Sequence, residues 1–211
     1  MLRVILLLIG YCFGLFQTGY LYGRKHGIDI RKTGSGNAGA TNTLRVLGKK
    51  AGLIVFFGDF LKCLIPCAAT LIIFKSIQPD MAYLYLMYMA FGVILGHNYP
   101  CYLGFKGGKG IACTAGLVVA YDWRITLVCF VVFVASVALT RFVSLGSLLV
   151  VTILFIMSVL FAYHGIYGLS EIAKQEFYVV VFAITALAYW RHRANIVRLL
   201  HGNENKIGSR K

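Results

Sequence analysis

The sequence predicts an all-α integral membrane protein with seven transmembrane helices, some of them short, an external N-terminus and a cytoplasmic C-terminus. Three observations predict it. Of 211 residues, 59% are hydrophobic and 13% charged, with a mean hydropathy of +0.78, more apolar surface than a soluble core can use. Uncharged or nearly uncharged runs long enough to cross a bilayer recur along the chain. Lysine and arginine total 21 against seven acids, an excess that marks cytoplasmic loops and contact with anionic headgroups. The whole chain, 1–211, reads as one membrane-embedded domain.

Residues 4–22 are 19 residues without a charge. They could pass for a signal peptide, but no small-residue cleavage site follows cleanly, so they read as the first span. The polar segment 23–50 carries seven basic residues and one acid. Residues 51–74 form the second span, interrupted by Asp59 and Lys62, and Gln78-Pro79-Asp80 makes a turn. The third span starts at Met81 and ends between Leu95 and Leu103. Residues 111–121 and 125–140, separated by Asp122-Trp123-Arg124, read as two short helices in a hairpin. A clear span at 142–163 and a last short one at 177–190 precede a basic tail. With seven spans, the segments 23–50, 104–110, 141 and 191–211 share one face and hold sixteen of the 21 basic residues. Merging the hairpin would send the basic tail to the other face, so the positive-inside rule selects the hairpin.

Three segments carry chemistry, all on that basic face. The first is GSGNAGATN at 34–42, followed by Arg45; no helix or strand pattern fits it. Ser35, Asn37, Thr41 and Asn42 offer hydroxyl and amide donors for phosphate oxygens or an oxyanion, although a flexible loop would have the same composition. Ser35 would be a nucleophile only with a base beside it, and none is near in sequence. The second is GHNYPCYLGFKGGKG at 96–110. Gly104, Gly107, Gly108 and Gly110 let a ligand approach the backbone, consecutive N–H groups would form an anion nest, and Lys106 and Lys109 add cationic donors. A helix starting at Ile111 would point its N-terminus at the same anion. Lys109 is followed by Gly110 rather than Ser or Thr, so this is no Walker A loop. His97 either touches the ligand or braces the loop. The third runs from His192 to Lys206; at helical spacing His192, Asn195 and Arg198 share a face, while Ile196, Leu199 and Leu200 can lie on the membrane.

Other features are blander or exclude chemistry. Asp59 and Lys62, three residues apart within a span, read as a structural pair rather than a polar entrance. The six cysteines lie mostly in apolar runs without CxxC spacing and read as buried thiols. Acids on the basic face are too few for a multi-carboxylate metal cluster, so no metal is expected. Nucleic acid is not expected as a partner, since the basic residues flank apolar spans.

Together the three segments resemble the acyl-phosphate:glycerol-3-phosphate acyltransferases of bacterial membranes. The resemblance rests on GSGNAGATN at 34–42, GH..P..L.FKGGKG at 96–110 and H..NI.RLL.G.E.K at 192–206, and extends over essentially the whole chain. It implies a multi-pass enzyme of the bacterial cytoplasmic membrane, working on the cytoplasmic side. Such an enzyme moves a fatty acyl group from acyl phosphate to the 1-hydroxyl of glycerol 3-phosphate, giving lysophosphatidic acid and phosphate without cofactor. Its partners would be those two substrates and membrane lipid, with the chain a monomer. The family's first-motif serine and arginine match Ser35 and Arg45. Its glycine-rich loop, assigned to glycerol 3-phosphate, matches Gly104 and residues 107–110 with the two lysines. Its third-motif histidine and asparagine match His192 and Asn195, and its structural glutamate matches Glu204. Cys113 departs from the threonine expected there, with Thr114 adjacent. The catalytic set is thus expected to be Ser35, Asn37, His192 and Asn195, with His192 or the donor phosphate as base. The competing class is a transporter or binder of a phosphorylated metabolite; against it, no internal repeat is seen and the polar motifs gather at one face rather than the midplane.

Overall fold

A computed structural model describes residues 1–208. Among them are eight α-helices and no strand: α1 (Leu2–Gly14), α2 (Thr18–Lys25), α3 (Ala40–Ile77), α4 (Ala82–Asn98), α5 (Ile111–Tyr121), α6 (Trp123–Thr140), α7 (Val143–Tyr163) and α8 (Glu171–Leu200). Five runs are long and apolar enough to cross a membrane: Leu2–Lys25, α3, α6, α7 and α8. The other two expected spans are the shorter α4 and α5, of 17 and 11 residues. The 111–140 segment is indeed two helices. They are broken at Asp122, whose carboxylate accepts from the Arg124 backbone N–H at 2.9 Å and caps α6.

Helix α4 is the axis of the fold, with 13 of its 17 residues buried. It packs most closely on α1, running in the same direction, because Gly10 and Gly14 face Gly92 and Gly96 one turn apart. A methyl built on Gly14 would lie 2.8 Å from the Gly96 Cα and the His97 nitrogen. Small residues at this spacing let two backbones meet where hydrocarbon solvent offers no hydrophobic drive. We expect Gly92→Val to separate α1 from α4 at a cost of about 3 kcal/mol, read as a lowered thermal unfolding midpoint in detergent. A midpoint equal to the parent's would refute this packing argument. Outside this core the bundle turns its apolar surface outward: α6 buries only Ile125 and Cys129, and Leu139 is 86% exposed, as a lipid-facing helix requires.

Three expected boundaries are corrected. The first span is not continuous. After Gly14 the buried Gln17 turns its amide onto the Gly14, Gly96 and His97 carbonyls at 3.0, 3.2 and 3.1 Å, ending α1 and tying it to the end of α4. Second, the string at 34–42 is not all loop. It ends in the first turn of α3, which begins at Ala40, ten residues before the expected loop ends, and kinks at Gly48 (φ +86°). Third, residues 191–200 are not a separate tail but the last turns of α8. The basic segments nevertheless gather at one end of the bundle: Arg31 donates to the Leu103 carbonyl, Lys109 to Asn195, and Arg141 to the Ile207 carbonyl. Arg210 and Lys211, counted above with that face, lie outside the described residues. The opposite end holds the Arg3–Glu176 and Arg124–Asp122 pairs.

Candidate active site

At the basic end a cavity of about 350 Å³ opens among α3, α5, α6, α7 and α8. Its first wall is the 30–42 loop. Asn42, 1% exposed, holds that loop: its amide nitrogen donates to the Ile30, Thr33 and Asn37 carbonyls and its Oδ1 accepts from the Ser35 N–H at 2.8 Å. Gly34 (φ +59°) passes directly over this amide, where a side chain would collide with Asn42. Ser35 is thereby presented to the cavity with Asn37, Thr41 and Arg45. Arg45 makes no ion pair among the described residues. Arg31 is committed elsewhere, holding Asp29 through two hydrogen bonds of 3.0 and 2.8 Å. That bond to the guanidinium is what chiefly lowers the Asp29 carboxyl to about 2.

The glycine-lysine loop divides into two parts. Gly107 and Gly108 donate their N–H groups to the Asn98 and His97 carbonyls at 3.2 and 3.0 Å, so they do not form the expected anion nest. Their carbonyls face Arg191, which binds both and lies 5.0 Å from the Tyr99 ring centroid. Gly104 and Lys106 lie apart from the cavity, on a surface groove with Asp29, Arg31 and Lys32. Lys109 and Gly110 do line the cavity, and with them the start of α5. No side chain caps that start, so the first N–H groups of α5 are available to an anion. The same holds for α3, which begins at the cavity with Gly39, Ala40 and Thr41.

His97 is a brace. Its ring abuts Gly108, whose Cβ would overlap Nε2, and its Nδ1 lies 2.9 Å from the Lys62 ammonium. Lys62 also donates to the Phe16 carbonyl at 2.6 Å and to Asp59 at 2.8 Å, which engages all three of its protons. Asp59, itself part of the cavity lining, therefore pairs with Lys62, and Thr18 donates to Asp59 at 3.1 Å.

The last turns of α8 close the site. His192, 3% exposed, sets Nδ1 2.8 Å from the Ala188 carbonyl. A carbonyl only accepts, so Nδ1 carries the proton and Nε2 keeps a free lone pair. Lys109 donates to Asn195 Oδ1, the Asn195 amide donates to both Glu204 oxygens at 3.2 Å, and Arg198 donates to Glu204 at 3.1 Å. Burial first, then the charges of Arg198, Arg191 and Arg45, push the Lys109 ammonium down to about 8 against the pull of Glu204. Sequence reasoning placed Arg198 on the right face but did not count it, or Arg191, among the site residues. It missed Phe56, Phe133, Ser144 and Ser147 entirely. The one legible signal was Ser144-x-x-Ser147, two small polar residues a turn apart in an apolar helix. No cluster of three His, Cys, Asp or Glu suited to a metal occurs among the described residues.

Fold and cavity together define a polytopic helical membrane protein with a cationic cavity at one end, lined in part by apolar side chains. The chain belongs to the glycerol-3-phosphate acyltransferase family, whose model matches residues 4–202. It is 39% identical over 210 residues to the glycerol-3-phosphate acyltransferase of Clostridioides difficile (strain 630), covering 99% of this chain and 97% of that one. It is 41% identical over 209 residues to the enzyme of the same name from Halalkalibacterium halodurans, covering 98% and 96%. Among solved structures it resembles PlsY (YgiH), an integral membrane glycerol 3-phosphate acyltransferase, at 37% identity. The glycerol 3-phosphate form superposes with a TM-score of 0.81 over 98% of this chain and 96% of that one. The lysophosphatidic acid form does so with a TM-score of 0.78, covering 98% and 95%.

Proposed function

We propose that this protein transfers a fatty acyl group from acyl phosphate to the 1-hydroxyl of sn-glycerol 3-phosphate, releasing lysophosphatidic acid and inorganic phosphate. That would be the first step of phospholipid synthesis. The observation that carries the reading is the convergence on one cavity of two uncapped helix starts, α3 and α5, with Arg45 and Lys109, opposite an imidazole with a free Nε2. Two phosphates require two anion sites, and an activated acyl donor requires little beyond alignment and a proton acceptor. His192 Nε2 takes the proton of the attacking hydroxyl. Asn195 holds Lys109 at the phosphate, and Glu204 holds Asn195. Ser35, Asn37 and Thr41 donate hydrogen bonds to substrate oxygens, with Ser35 a ligand rather than an acyl carrier, since no base bonds its hydroxyl among the described residues. Asn42, His97, Gly107 and Gly108 act by holding the loops, and Gly110 opens the start of α5. Asp59 and Lys62 support His97. Gly104 and Lys106 serve the separate basic groove with Arg31 and Lys32.

In this reading the chain is a single domain and works as a monomer. It crosses the bacterial cytoplasmic membrane seven times, α4 and α5 being short passes, with the N-terminus outside and the basic end in the cytoplasm. The deciding experiment incubates purified protein with acyl phosphate and glycerol 3-phosphate in the presence of a chelator and follows phosphate release. Turnover supports the reading; transfer from an acyl thioester alone would replace the donor. Saturable flux in vesicles without turnover would make the protein a carrier instead.

The low value for Lys109 gives a pH dependence. Its ammonium is charged below about 8 and loses its proton above it. The KM for glycerol 3-phosphate should therefore rise as pH climbs past 8, and Lys109→Arg should flatten that rise. An equally steep rise in the arginine variant would assign it to another group.

A further inference from the structure

Helix α7 also begins at the cavity, through Val143 and Ser144, and no side chain caps it. This third helix start is more than two phosphates need. Ser144 is 7% exposed, and its hydroxyl, shielded from water, has no hydrogen-bond partner. Ser147, one turn on, gives its proton to the Val143 carbonyl at 2.8 Å. Ser144 is thus the one uncommitted hydroxyl on this wall, and an unpaired buried hydroxyl is costly unless a ligand completes it. Its surroundings say which part of a ligand that is. Val143 next to it and Phe133, which lies against Gly146 of the same helix, form the apolar part of the lining with Phe56, Ile111 and Ala112; Arg45, Lys109, Arg191 and Arg198 form the cationic part. An acyl phosphate joins the same two characters through a single carbonyl group.

We propose that the Ser144 hydroxyl, with the α7 N-terminus behind it, donates to the carbonyl oxygen of the acyl donor, whose alkyl chain lies along Phe133 and Phe56. The assignment rests on the acyl-transfer reading above. As the glycerol 3-phosphate hydroxyl oxygen bonds to the carbonyl carbon, its proton passes to His192 Nε2 and the C=O pair moves onto the carbonyl oxygen. Ser144 and the helix N-terminus stabilise that oxyanion. The pair then returns, the carbon–oxygen bond to phosphate breaks, and phosphate leaves with the bonding electrons.

The test compares wild type with Ser144→Ala, Ser144→Thr and Ser144→Cys, using octanoyl and palmitoyl phosphate. We expect Ser144→Ala to lower kcat about 100-fold for both donors, with the KM for glycerol 3-phosphate unchanged and Ser144→Thr restoring most of the rate. Ser144→Cys keeps the shape with a weaker donor and reads the same loss should the alanine variant fail to fold. Wild-type kcat in the alanine or cysteine variant would overturn the proposal, as would a loss confined to the KM for glycerol 3-phosphate. If wild type accepts only an acyl thioester, the donor assigned above falls, and Ser144 is judged on the thioester, which has the same carbonyl. If wild type transfers from neither, both proposals fall. A companion variant, Phe133→Trp, should raise the KM of palmitoyl phosphate more than that of octanoyl phosphate; equal effects would move the chain elsewhere.

Discussion

Replacing His192 with alanine is expected to lower kcat by roughly 100- to 10,000-fold while the KM of each substrate moves by less than about threefold. The imidazole is buried at the end of α8, and the Ala188 carbonyl fixes its tautomer. Its lone pair therefore faces the cavity without any rearrangement. The rival is substrate assistance, in which an oxygen of the acyl phosphate itself takes the proton. In that case His192→Ala would cost less than about tenfold in kcat and would act mainly through KM. Steady-state kinetics on the purified variant separate the two, and His192→Gln, which can accept a hydrogen bond but not a proton, should behave like alanine.

The second large effect is on stability. Glu204→Ala is expected to cost about 2–4 kcal/mol, a breach of a buried pair moderated by the partial exposure of Arg198. The carboxylate is buried and accepts from Asn195, Arg198 and the Asn205 N–H. Removing it leaves the Asn195 amide unpaired beside Lys109 and frees the 201–207 turn from α8. The unfolding midpoint in detergent should drop, and protease should cut the C-terminal segment sooner. An unchanged midpoint with lost turnover would instead make Glu204 a group that acts on substrate.

Much of this was legible because the membrane simplifies the code. Long uncharged runs must be helices, since lipid satisfies no backbone group, and the basic segments must gather at one end. The 111–140 hairpin was readable because Asp122 and Arg124 interrupt the apolar stretch and one long helix would have sent the basic tail to the other face. The break at Gln17 was not readable: one neutral polar residue in a 19-residue apolar run looks like a tolerated exception. Only the approach of α4 shows that its amide completes three carbonyls from two helices. The beginning of α3 at Ala40 was hidden for a related reason. Gly, Ser and Asn favour turns locally, and the helix is set by what Asn42 binds rather than by propensity.

The glycine-lysine loop shows where sequence stops. Composition and spacing marked residues 96–110 as an anion loop, and Lys109 with Gly110 does lie in the cavity wall. Yet the two N–H groups most suited to a nest are bound to the end of α4, and their carbonyls to Arg191. Hydrogen-bond partners are a property of neighbours, and Arg191 is 83 residues or more away along the chain. The sequence alone determined the membrane class, the family and the three segments that meet. Only the tertiary structure decided which donors remain free for a ligand, because a polar group in a buried site is available only if nothing nearer has claimed it.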